Sequence, residues 1–372
     1  MSNYGAVLTD THMGVRGDLL PIQKAQERFF AETFWPTIDA HGITDILHAG
    51  DLVDHRKMIH YSTLEFMERV LLKPMQDRGA TMTWLLGNHD VAFKNTNRLN
   101  ASLALTKYID SGTIQVVVDP REDVFMGHGM LMVPWITQDN FEATMKLVED
   151  TKLTYCVGHL ELIGFDFYRG IPSHTGFDPA SFEKFSQVWS GHYHHPSERR
   201  DIRYLGAPYE MVWSDWSGPR GFHLFNSTTG KLEPVVNPDA VFHRFVYDDR
   251  QSADVLQAEL DMLVSKNLKD RFVKIIVKHK DNPFWFDRYV DAMEATGAFD
   301  VDAVEDELID EDTELDPVTG IPVPPPVLNT EMIMRTYLDT LSLKDDVRKD
   351  VQGLLHDLYV TAQDVNVLQQ DS

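Results

Sequence analysis

Short apolar runs that end in polar residues recur along the first 235 residues. Five of them predict buried strands, at residues 4–10, 43–51, 81–90, 154–162 and 185–192. Stretches with helical periodicity lie between or beside these runs, at residues 20–41, 58–78, 99–111 and 140–150. This alternation of strands and helices predicts an α/β fold with a layered sheet.

The pattern changes after residue 238, and we divide the remainder into three segments. Residues 239–298 hold two apolar strands and two helical stretches, which predict a small α+β domain. Residues 299–328 join an acidic run to a proline-rich run, which is typical of a solvated linker. Residues 329–372 return to helical patterning, with apolar stripes that predict a C-terminal helical pair.

Composition limits the classes of partner. The formal net charge of −24 argues against simple electrostatic wrapping of nucleic acid and against binding to anionic membranes. It leaves room for a phosphate substrate bridged by divalent cations. Cys156 is the only cysteine, so no intrachain disulfide can form, and a reducing compartment fits. Without a signal pattern or an apolar run near ~20 residues, we expect a soluble protein of the cytoplasm.

Polar residues with metal-binding chemistry stand at the end of each predicted strand. A single Asp-x-His or Gly-Asn-His-Asp is more often a turn, but five such segments in order indicate a shared site. In chain order the candidates are Asp10, His12, Asp51, Asn88, His89, His159, His192 and His194. Two divalent ions ~3.5–4 Å apart need a shared carboxylate, and Asp51 is the natural bridge.

This donor set favours phosphoester hydrolysis. Imidazole, carboxylate and amide ligands without a thiolate suit Mn²⁺, Fe²⁺ or Zn²⁺. Two such ions lower the pKa of bound water to ~7 and neutralise phosphate oxygens. His89 is left over beside Asn88, where it can donate a proton to the leaving oxygen or stabilise the transition state. Asp90 either orients His89 or closes the turn.

The ordered motifs D-x-H, G-D-x-x-D, G-N-H-D, G-H and G-H-x-H resemble the calcineurin-like metallophosphoesterase superfamily. Within it, "THMGV", "CVGHLELIGFDFYRG" and "RYLGAPYEMVW" resemble the DNA-repair nuclease branch of SbcD, MRE-eleven and the phage recombination-endonuclease subunits. The resemblance implies a four-layer α/β/β/α sandwich (1–238) with a small α+β capping domain. It also implies a DNA nuclease, with double-strand 3′-to-5′ exonuclease and single-strand endonuclease activity. The phage-type comparison places it in the host cytoplasm.

The resemblance also assigns the ligands. One ion would be held by Asp10, His12 and His194, and the other by Asn88, His159 and His192. Asp51 would bind both ions. Mn²⁺ is favoured, with Mg²⁺, Fe²⁺ or Zn²⁺ as alternatives. The chain departs from the family at Asp54, where archaeal and eukaryotic members have histidine and bacterial members an acid. His55 follows directly, so that histidine's role stays open between Asp54 and His55. His195 matches no family position and is expected behind the ligands or on the surface.

Cations near the site are candidates for contacts with DNA. Lys274 and Lys278 share strand parity, so they form either a solvated strand face or a set of phosphate contacts in the capping domain. Arg56, Lys57, Lys94 and Arg98 stand on loops beside the proposed ions. No base-reading motif is visible, which predicts binding to DNA ends without sequence specificity.

The C-terminal stripes contain Met332, Tyr337, Leu338, Leu341, Leu354 and Leu358. They either pack on each other as a hairpin or bind a partner, which the resemblance identifies as an SbcC/RAD-fifty-type ABC ATPase. The resemblance further implies a homodimer, and thus a heterotetramer with the ATPase. Two alternatives remain: a metallophosphatase acting on proteins or small phosphoesters, and a non-catalytic DNA-end tether. The lysines and the C-terminal segment argue against the first, and the intact ligand set with His89 argues against the second.

Overall fold

The computed structural model describes residues 2–168, 170–305 and 351. Its helices are α1 (Val15–Asp18), α2 (Leu20–Arg28), α3 (Trp35–His41), α4 (Tyr61–Met67), α5 (Lys73–Asp77), α6 (Thr106–Asp110), α7 (Phe141–Asp150), α8 (Ala253–Val264) and α9 (Pro283–Ala295). π-helical turns at Phe29–Phe34 and Glu68–Leu72 join α2 to α3 and α4 to α5. The predicted helical stretches at 20–41, 58–78 and 140–150 are therefore confirmed. In the predicted stretch at 99–111, a 3₁₀ turn at Ala101–Leu105 precedes α6.

The strands, listed in chain order, are β1 (Tyr4–Leu8), β2 (Asp45–His48), β3 (Thr81–Leu85), β4 (Val91–Phe93), β5 (Thr96–Asn100), β6 (Ile114–Val117), β7 (Arg121–Phe125), β8 (His128–Val133), β9 (Tyr155–His159), β10 (Asp166–Tyr168), β11 (Ile171–Pro172), β12 (Gln187–Gly191), β13 (Ser197–Arg199), β14 (Ile202–Tyr204), β15 (Gly221–Asn226), β16 (Lys231–Val236), β17 (Phe242–Asp248), β18 (Phe272–His279) and β19 (Asp300–Glu305). The five predicted strands correspond to β1, β2, β3, β9 and β12.

Two six-stranded sheets form the body of the fold. The first has the order β16-β15-β1-β2-β3-β6, in which β1, β2, β3 and β6 run parallel. The second has the order β13-β14-β12-β9-β8-β7, in which β14, β12, β9 and β8 run parallel. Because parallel strands present their carboxyl ends at one edge, the loops after β1, β2, β3, β9 and β12 can share a site.

Side-chain parity separates three layers of core. Val7 and Leu47 pack with Val157 and Trp189 between the two sheets. The opposite face of the first sheet, including Ile46, packs against the aromatic residues of α2–α5. The opposite face of the second sheet packs against α7 and a 3₁₀ turn at Pro179–Phe182. The order is therefore helix, sheet, sheet, helix, which confirms the α/β/β/α architecture.

A separate core lies beneath a three-stranded sheet with the order β17-β18-β19, where β17 and β18 are parallel and α8 connects them. We predicted linker from residue 299, but residues 300–305 form β19. Val301 and Val304 are half-buried among exposed acids, so pairing with the sheet outweighs the charge of this stretch. The C-terminal ATPase-binding candidates lie outside the described residues. Within the described ranges, no helix is long and apolar enough to cross a membrane.

Candidate metal centre

The loops after β1 and β2 run side by side at the carboxyl edge of the first sheet. The amide of Asp10 donates to the carbonyl of Gly50 at 2.9 Å, and the amide of His12 donates to the carbonyl of Asp51 at 3.0 Å. Across from them, the amide of His192 donates to the carboxylate of Asp10 at 3.1 Å. These bonds join the ends of the two sheets, although His192 and Asp10 are 182 positions apart.

Four of the predicted ligands have a left-handed backbone. The φ angles are 51° at Asp10, 41° at His12, 55° at Asp51 and 89° at His192. Residues other than glycine rarely adopt such angles, and each typically costs about 1–3 kcal/mol. Such strain concentrates at functional sites because the surrounding structure holds it in place.

Two glycines allow the loops to approach one another. A Cβ atom at Gly87 would lie 2.2 Å from Oδ1 of Asp51, and one at Gly191 would lie 2.1 Å from Oγ1 of Thr9. Neither position has room for a larger residue. The glycines of the G-N-H-D and G-H-x-H motifs therefore serve close packing around the ligands.

The first group of donor atoms comes from Asp10, His12 and His194, which lie within 4.8 Å of one another. Nδ1–H of His12 donates to the carboxylate of Asp54 at 3.1 Å, and Nδ1–H of His194 donates to Asp215 at 3.2 Å. In the neutral rings, which are the form that binds metal, these bonds fix the tautomers and leave both Nε2 lone pairs facing each other, 3.2 Å apart. Two facing lone pairs need a cation between them, so the donor set fits a metal ion.

The second group comes from Asp51, His159 and His192, joined by the amide oxygen of Asn88. Nδ1–H of His159 donates to the carbonyl of Ala49 at 2.8 Å, which leaves Nε2 as an acceptor when the ring is neutral. That Nε2 faces Oδ2 of Asp51 at 3.2 Å and Oδ1 of Asn88 at 3.0 Å. Acceptors again converge, at the ~3 Å spacing expected of atoms bound to one ion at ~2.0–2.2 Å.

The charges of the site show the same demand for cations. Burial lowers the pKa of His12, but the hydrogen bond to Asp54 and the charges of Asp51 and Asp10 raise it to about 9. Burial likewise lowers the pKa of His159, yet Asp51 and Asp10 raise it to about 9. The pKa of Asp51, which burial would raise, is held well below its usual range by His159 and His12. Without another cation, the carboxylates keep protons on the rings.

His192 differs from the other imidazoles of the cluster. Burial and the nearby charge of His159 lower its pKa to about 3, so the ring is neutral. Its Nδ1 lies 2.9 Å from Oδ1 of Asn88, and its ring packs against Trp135 with centroids 5.2 Å apart. A neutral imidazole is the form that ligates metals. Trp135, which we did not predict, forms one wall of this half of the site.

His89 lies at the edge of both groups. Its ring is 4.7 Å from the ring of His12, and its amide donates to Oδ1 of Asp51 at 2.7 Å. Nδ1–H of His89 donates to the carbonyl of Asp54 at 2.6 Å, which leaves Nε2 without that partner and the ring half-exposed. Burial and the charge of His12 lower the pKa of His89 despite the opposing charge of Asp51.

Asp90 closes the turn. Its buried carboxylate accepts hydrogen bonds from the amides of Asp51, Val53 and Gly87 at 2.9, 3.1 and 2.8 Å, and from Nε1 of Trp84 at 3.2 Å. The sequence left two roles open for Asp90, orienting His89 or closing the turn, and these bonds match the closing of the turn. Asp90 therefore supports the backbone of the Asp51 loop.

The structure separates Asp54 from its neighbour His55. Asp54 orients His12, whereas Nδ1 of His55 is 3.9 Å from the Asp54 carboxylate and its side chain is 41% exposed. His195 is buried, and its Nε2–H donates to the carbonyl of Ser214 at 2.7 Å. The surface alternative for His195 is therefore wrong, because the ring packs beneath the loop that carries Asp215.

Asp215 is the residue that sequence reasoning missed. Its Oδ1 accepts from His194, and its Oδ2 accepts from the amides of Met211 and Val212 at 2.9 and 3.1 Å. Arg220, buried beneath the same loop, donates to the carbonyls of His194 and Asp215. The only signal was the unassigned "SDW" within the stretch between "EMVW" and "GPRG".

The predicted DNA contacts fall in two places. Arg56 and Lys57 line a cleft of about 260 Å³ that also includes His55, and Arg98 is exposed and 3.5 Å from Asp119. Lys94 is exposed on the turn between β4 and β5. In the β17–β19 sheet, Lys274 lies over the ring of Trp213 and Lys278 is exposed.

The two packed sheets and the convergent imidazole, carboxylate and amide groups define the class of the protein as a metallophosphoesterase. The chain belongs to the calcineurin-like phosphoesterase family, whose sequence model matches residues 6–196. This family uses divalent metals, and the two groups described above could hold them.

Two curated proteins and one solved structure are similar to the chain. It is 34% identical to "Exonuclease subunit 1" of Enterobacteria phage T4 over 241 residues, which are 64% of this chain and 69% of the relative. It is 23% identical to the D component of the nuclease SbcCD of Escherichia coli K12 over 267 residues, 62% of this chain and 66% of that protein. The Pseudomonas putida nuclease MPE aligns with a TM-score of 0.30 at 16% identity, covering 62% of this chain and 87% of that one.

Proposed function

We propose that the chain is a metal-dependent DNA nuclease that hydrolyses phosphodiesters with two divalent ions, most simply Mn²⁺. The observation that carries the proposal is the position of Asp51 between two groups of donor atoms. Its Oδ2 is 3.6 Å from Nε2 of His12 and 3.2 Å from Nε2 of His159. A carboxylate shared in this way is what a two-ion phosphoesterase requires.

The choice of DNA rather than another phosphoester rests on the relatives. Both curated relatives are named as components of nucleases, and one is 34% identical to this chain. We propose double-strand 3′-to-5′ exonuclease and single-strand endonuclease activity from the resemblance of the motifs to the DNA-repair nuclease branch. Since each relative is one component of a larger enzyme, the names support a partner as well.

The proposed roles divide among the side chains. Asp10, His12, His194 and Asp51 would hold one ion, and Asn88, His159, His192 and Asp51 would hold the other. The ions, when bound, supply an activated water and neutralise the charge on the phosphate. Asp54 and Asp215 keep Nε2 of His12 and of His194 aimed inward, so that the two rings can bind without changing tautomer.

His89 would handle the proton of the leaving oxygen. Its Nδ1–H is held by the carbonyl of Asp54, so Nε2 is the nitrogen that can exchange a proton with substrate. The ring is neutral at neutral pH because its pKa is lowered by burial. A phosphodiester beside it brings negative charge, which raises the pKa of an imidazole and favours the charged form needed for donation.

We also propose assembly with an SbcC/RAD-fifty-type ABC ATPase and a homodimer of this chain. The candidate ATPase contacts of the 329–372 segment form apolar stripes at helical spacing. For the dimer, support comes from large apolar side chains exposed beside the 260 Å³ cleft, among them Met58 at 61% and Leu103 at 64%. Such patches on a folded surface typically mark contacts between proteins.

The central test compares substrates on the full chain stripped of metal and then supplied with Mn²⁺. Linear double-stranded DNA should be cut, a phosphopeptide should not, and Asp51→Asn should abolish cleavage while leaving the fold intact by circular dichroism. Cleavage of the phosphopeptide alone would indicate a metallophosphatase. DNA binding without cleavage under all metals would indicate an end tether, and either result would overturn the proposal.

Assembly is tested separately. A chain that lacks residues 329–372 should cleave single-stranded DNA yet fail to retain the ATPase in a pull-down. Leu103→Lys should convert the dimer to a monomer in light scattering, with Lys152→Gln as a surface control. Retention of the ATPase by the shortened chain contradicts the partner assignment, and a monomeric wild type contradicts the dimer.

A further inference from the structure

We propose that Arg16, Arg244 and Lys274, backed by Trp213 and Trp216, form a track that binds the phosphates of a nucleic-acid strand beside the metal centre. We call this set of five residues the cationic ridge. Of these residues, Lys274 alone was a candidate from the sequence. The inference rests on the proposed nuclease function, because it identifies the surface along which the substrate backbone lies.

The three cations are each placed over an aromatic ring. Lys274 Nζ lies 4.4 Å from the ring centroid of Trp213, and Arg244 Cζ lies 4.1 Å from that of Trp216. Arg16 Cζ lies 5.2 Å from the ring of Phe272. Arg244 and Lys274 are also direct neighbours across the parallel strands β17 and β18.

Within the described part of the chain, none of these three cations pairs with a carboxylate. In the same region, Arg28 and Arg271 pair with Asp239, and Lys24 pairs with Asp270. A chain of net charge −24 has acids in excess, and like charges on adjacent strands repel each other. Two neighbouring cations without a carboxylate partner of their own therefore indicate positive charge that is available to an external anion.

The aromatic rings explain how the charges are kept available. A ring face attracts a cation by its quadrupole, typically by about 0.5–2 kcal/mol, without neutralising its charge. The ring also restricts a side chain that would otherwise lose rotamer entropy on binding. Trp213 and Trp216 thus hold Lys274 and Arg244 in place in a way that a carboxylate could not, because a carboxylate would compete with phosphate.

Three residues of the cationic ridge are close in sequence to residues of the metal centre. Trp213 and Trp216 flank Asp215, which orients His194, and Arg16 lies in α1, which follows the loop that carries His12. Arg244 and Trp216 also line a cleft of about 350 Å³. Arg220 lines this cleft too, and its buried Nε–H has no hydrogen-bond partner among the described residues. The carboxylates of Glu210 and Asp239 line the cleft as well, but Glu210 is bonded to backbone amides and Asp239 is paired with Arg28 and Arg271. The unpaired donor of Arg220 is therefore a second indication that the cleft receives an anion.

A row of three separate cations suits a chain of phosphates better than a single one. A lone phosphate is bound by groups that converge on one point, whereas these cations stand on α1 and on two neighbouring strands. The contacts are to charge alone, so the ridge predicts affinity for the backbone without base preference.

The test measures DNA binding by fluorescence anisotropy in EDTA, where no hydrolysis occurs, over a series of salt concentrations. Arg244→Gln should weaken binding about 5- to 10-fold and lower the slope of log Kd against log salt by about 1. Lys152→Gln removes the same charge from an exposed position in another part of the fold and should change neither quantity. A wild type that fails to bind DNA, or an Arg244→Gln variant with unchanged slope, overturns the ridge.

The tryptophan is tested by a double-mutant cycle. Trp216→Leu should weaken binding severalfold with the salt slope unchanged, because every charge is retained. Adding Trp216→Leu to Arg244→Gln should cause no further loss, since the ring acts through the guanidinium. Additive losses would mean that the ring contacts DNA by itself and would refute its role as a support. If inorganic phosphate competes as well as an oligonucleotide at the same concentration of phosphate groups, the ridge does not bind a strand.

These outcomes are independent of those for the proposed function. If the chain cleaves DNA with metal and Arg244→Gln leaves the affinity for DNA unchanged, the nuclease proposal stands and the cationic ridge is refuted. If DNA binds through Arg244 with the expected salt dependence but is not cleaved with metal, the cationic ridge stands and the nuclease proposal is refuted.

Discussion

Replacing Asp215 with asparagine should weaken one metal site and spare the other. Oδ2 of Asp215 accepts from two backbone amides, a role that the amide oxygen of asparagine can keep. The NH₂ group then faces Nδ1 of His194 in place of the carboxylate. His194 must turn Nδ1 into an acceptor and move its proton to Nε2, the nitrogen that faces His12.

The magnitude follows from the bond that is lost. A hydrogen bond to a charged group contributes about 1.5–3 kcal/mol, and the ring must also bind metal in its disfavoured tautomer. Changes to a residue that holds a ligating histidine typically cost about 10- to 100-fold in metal affinity. We expect a loss in this range, about 1.4–2.8 kcal/mol, at the site of Asp10, His12 and His194.

Calorimetric titration of Mn²⁺ into the metal-free chain would measure both sites at once. The variant should show one wild-type affinity and one weakened affinity. Glu210→Gln is the matched control, because Glu210 is a buried carboxylate of the same loop bonded to the amides of Ser217, Val241 and Phe242. It should lose stability without changing either Mn²⁺ affinity. Two wild-type affinities in Asp215→Asn would refute the tautomer argument.

Three further outcomes are expected. His89→Ala should slow DNA cleavage about 10²- to 10⁴-fold while binding Mn²⁺ normally, and a wild-type rate would remove its role in proton transfer. Gly87→Ala should lower both Tm and Mn²⁺ affinity, because the new Cβ would lie 2.2 Å from Oδ1 of Asp51; an unchanged Tm would contradict this. The pKa values of His12 and His159 are raised to about 9, so both rings are charged at pH 7 and Mn²⁺ binding should release about two protons there. The release of protons should disappear as the pH passes above 9. Calorimetry at pH 7 in buffers of different ionisation enthalpy measures it, and the same binding enthalpy in every buffer would mean that the rings were already neutral.

The strands and the polar groups that end them could be predicted because both are local properties. A buried strand shows as an apolar run, and the residues that follow it along the chain must lie at its carboxyl end. The order of motifs then predicted the ligand types, and the structure brings Asp10, Asp51, Asn88, His159 and their partners together. The acidic composition of residues 300–316 misled us at β19, since a count of charges hides the two half-buried valines of that strand.

The sequence by itself determined the class of fold and the family, and it predicted the residues that would supply the donor atoms. Only the tertiary structure decided how those atoms are oriented. His12 and His194 are 182 positions apart, and the tautomer of each ring depends on a carboxylate, Asp54 or Asp215, that packing places behind it. The pairing of Lys274 with Trp213 likewise follows from the packing of β18 against a 3₁₀ turn at Trp213–Asp215. Such contacts depend on left-handed loops and on the facing of two sheets, which hydrophobic periodicity does not encode.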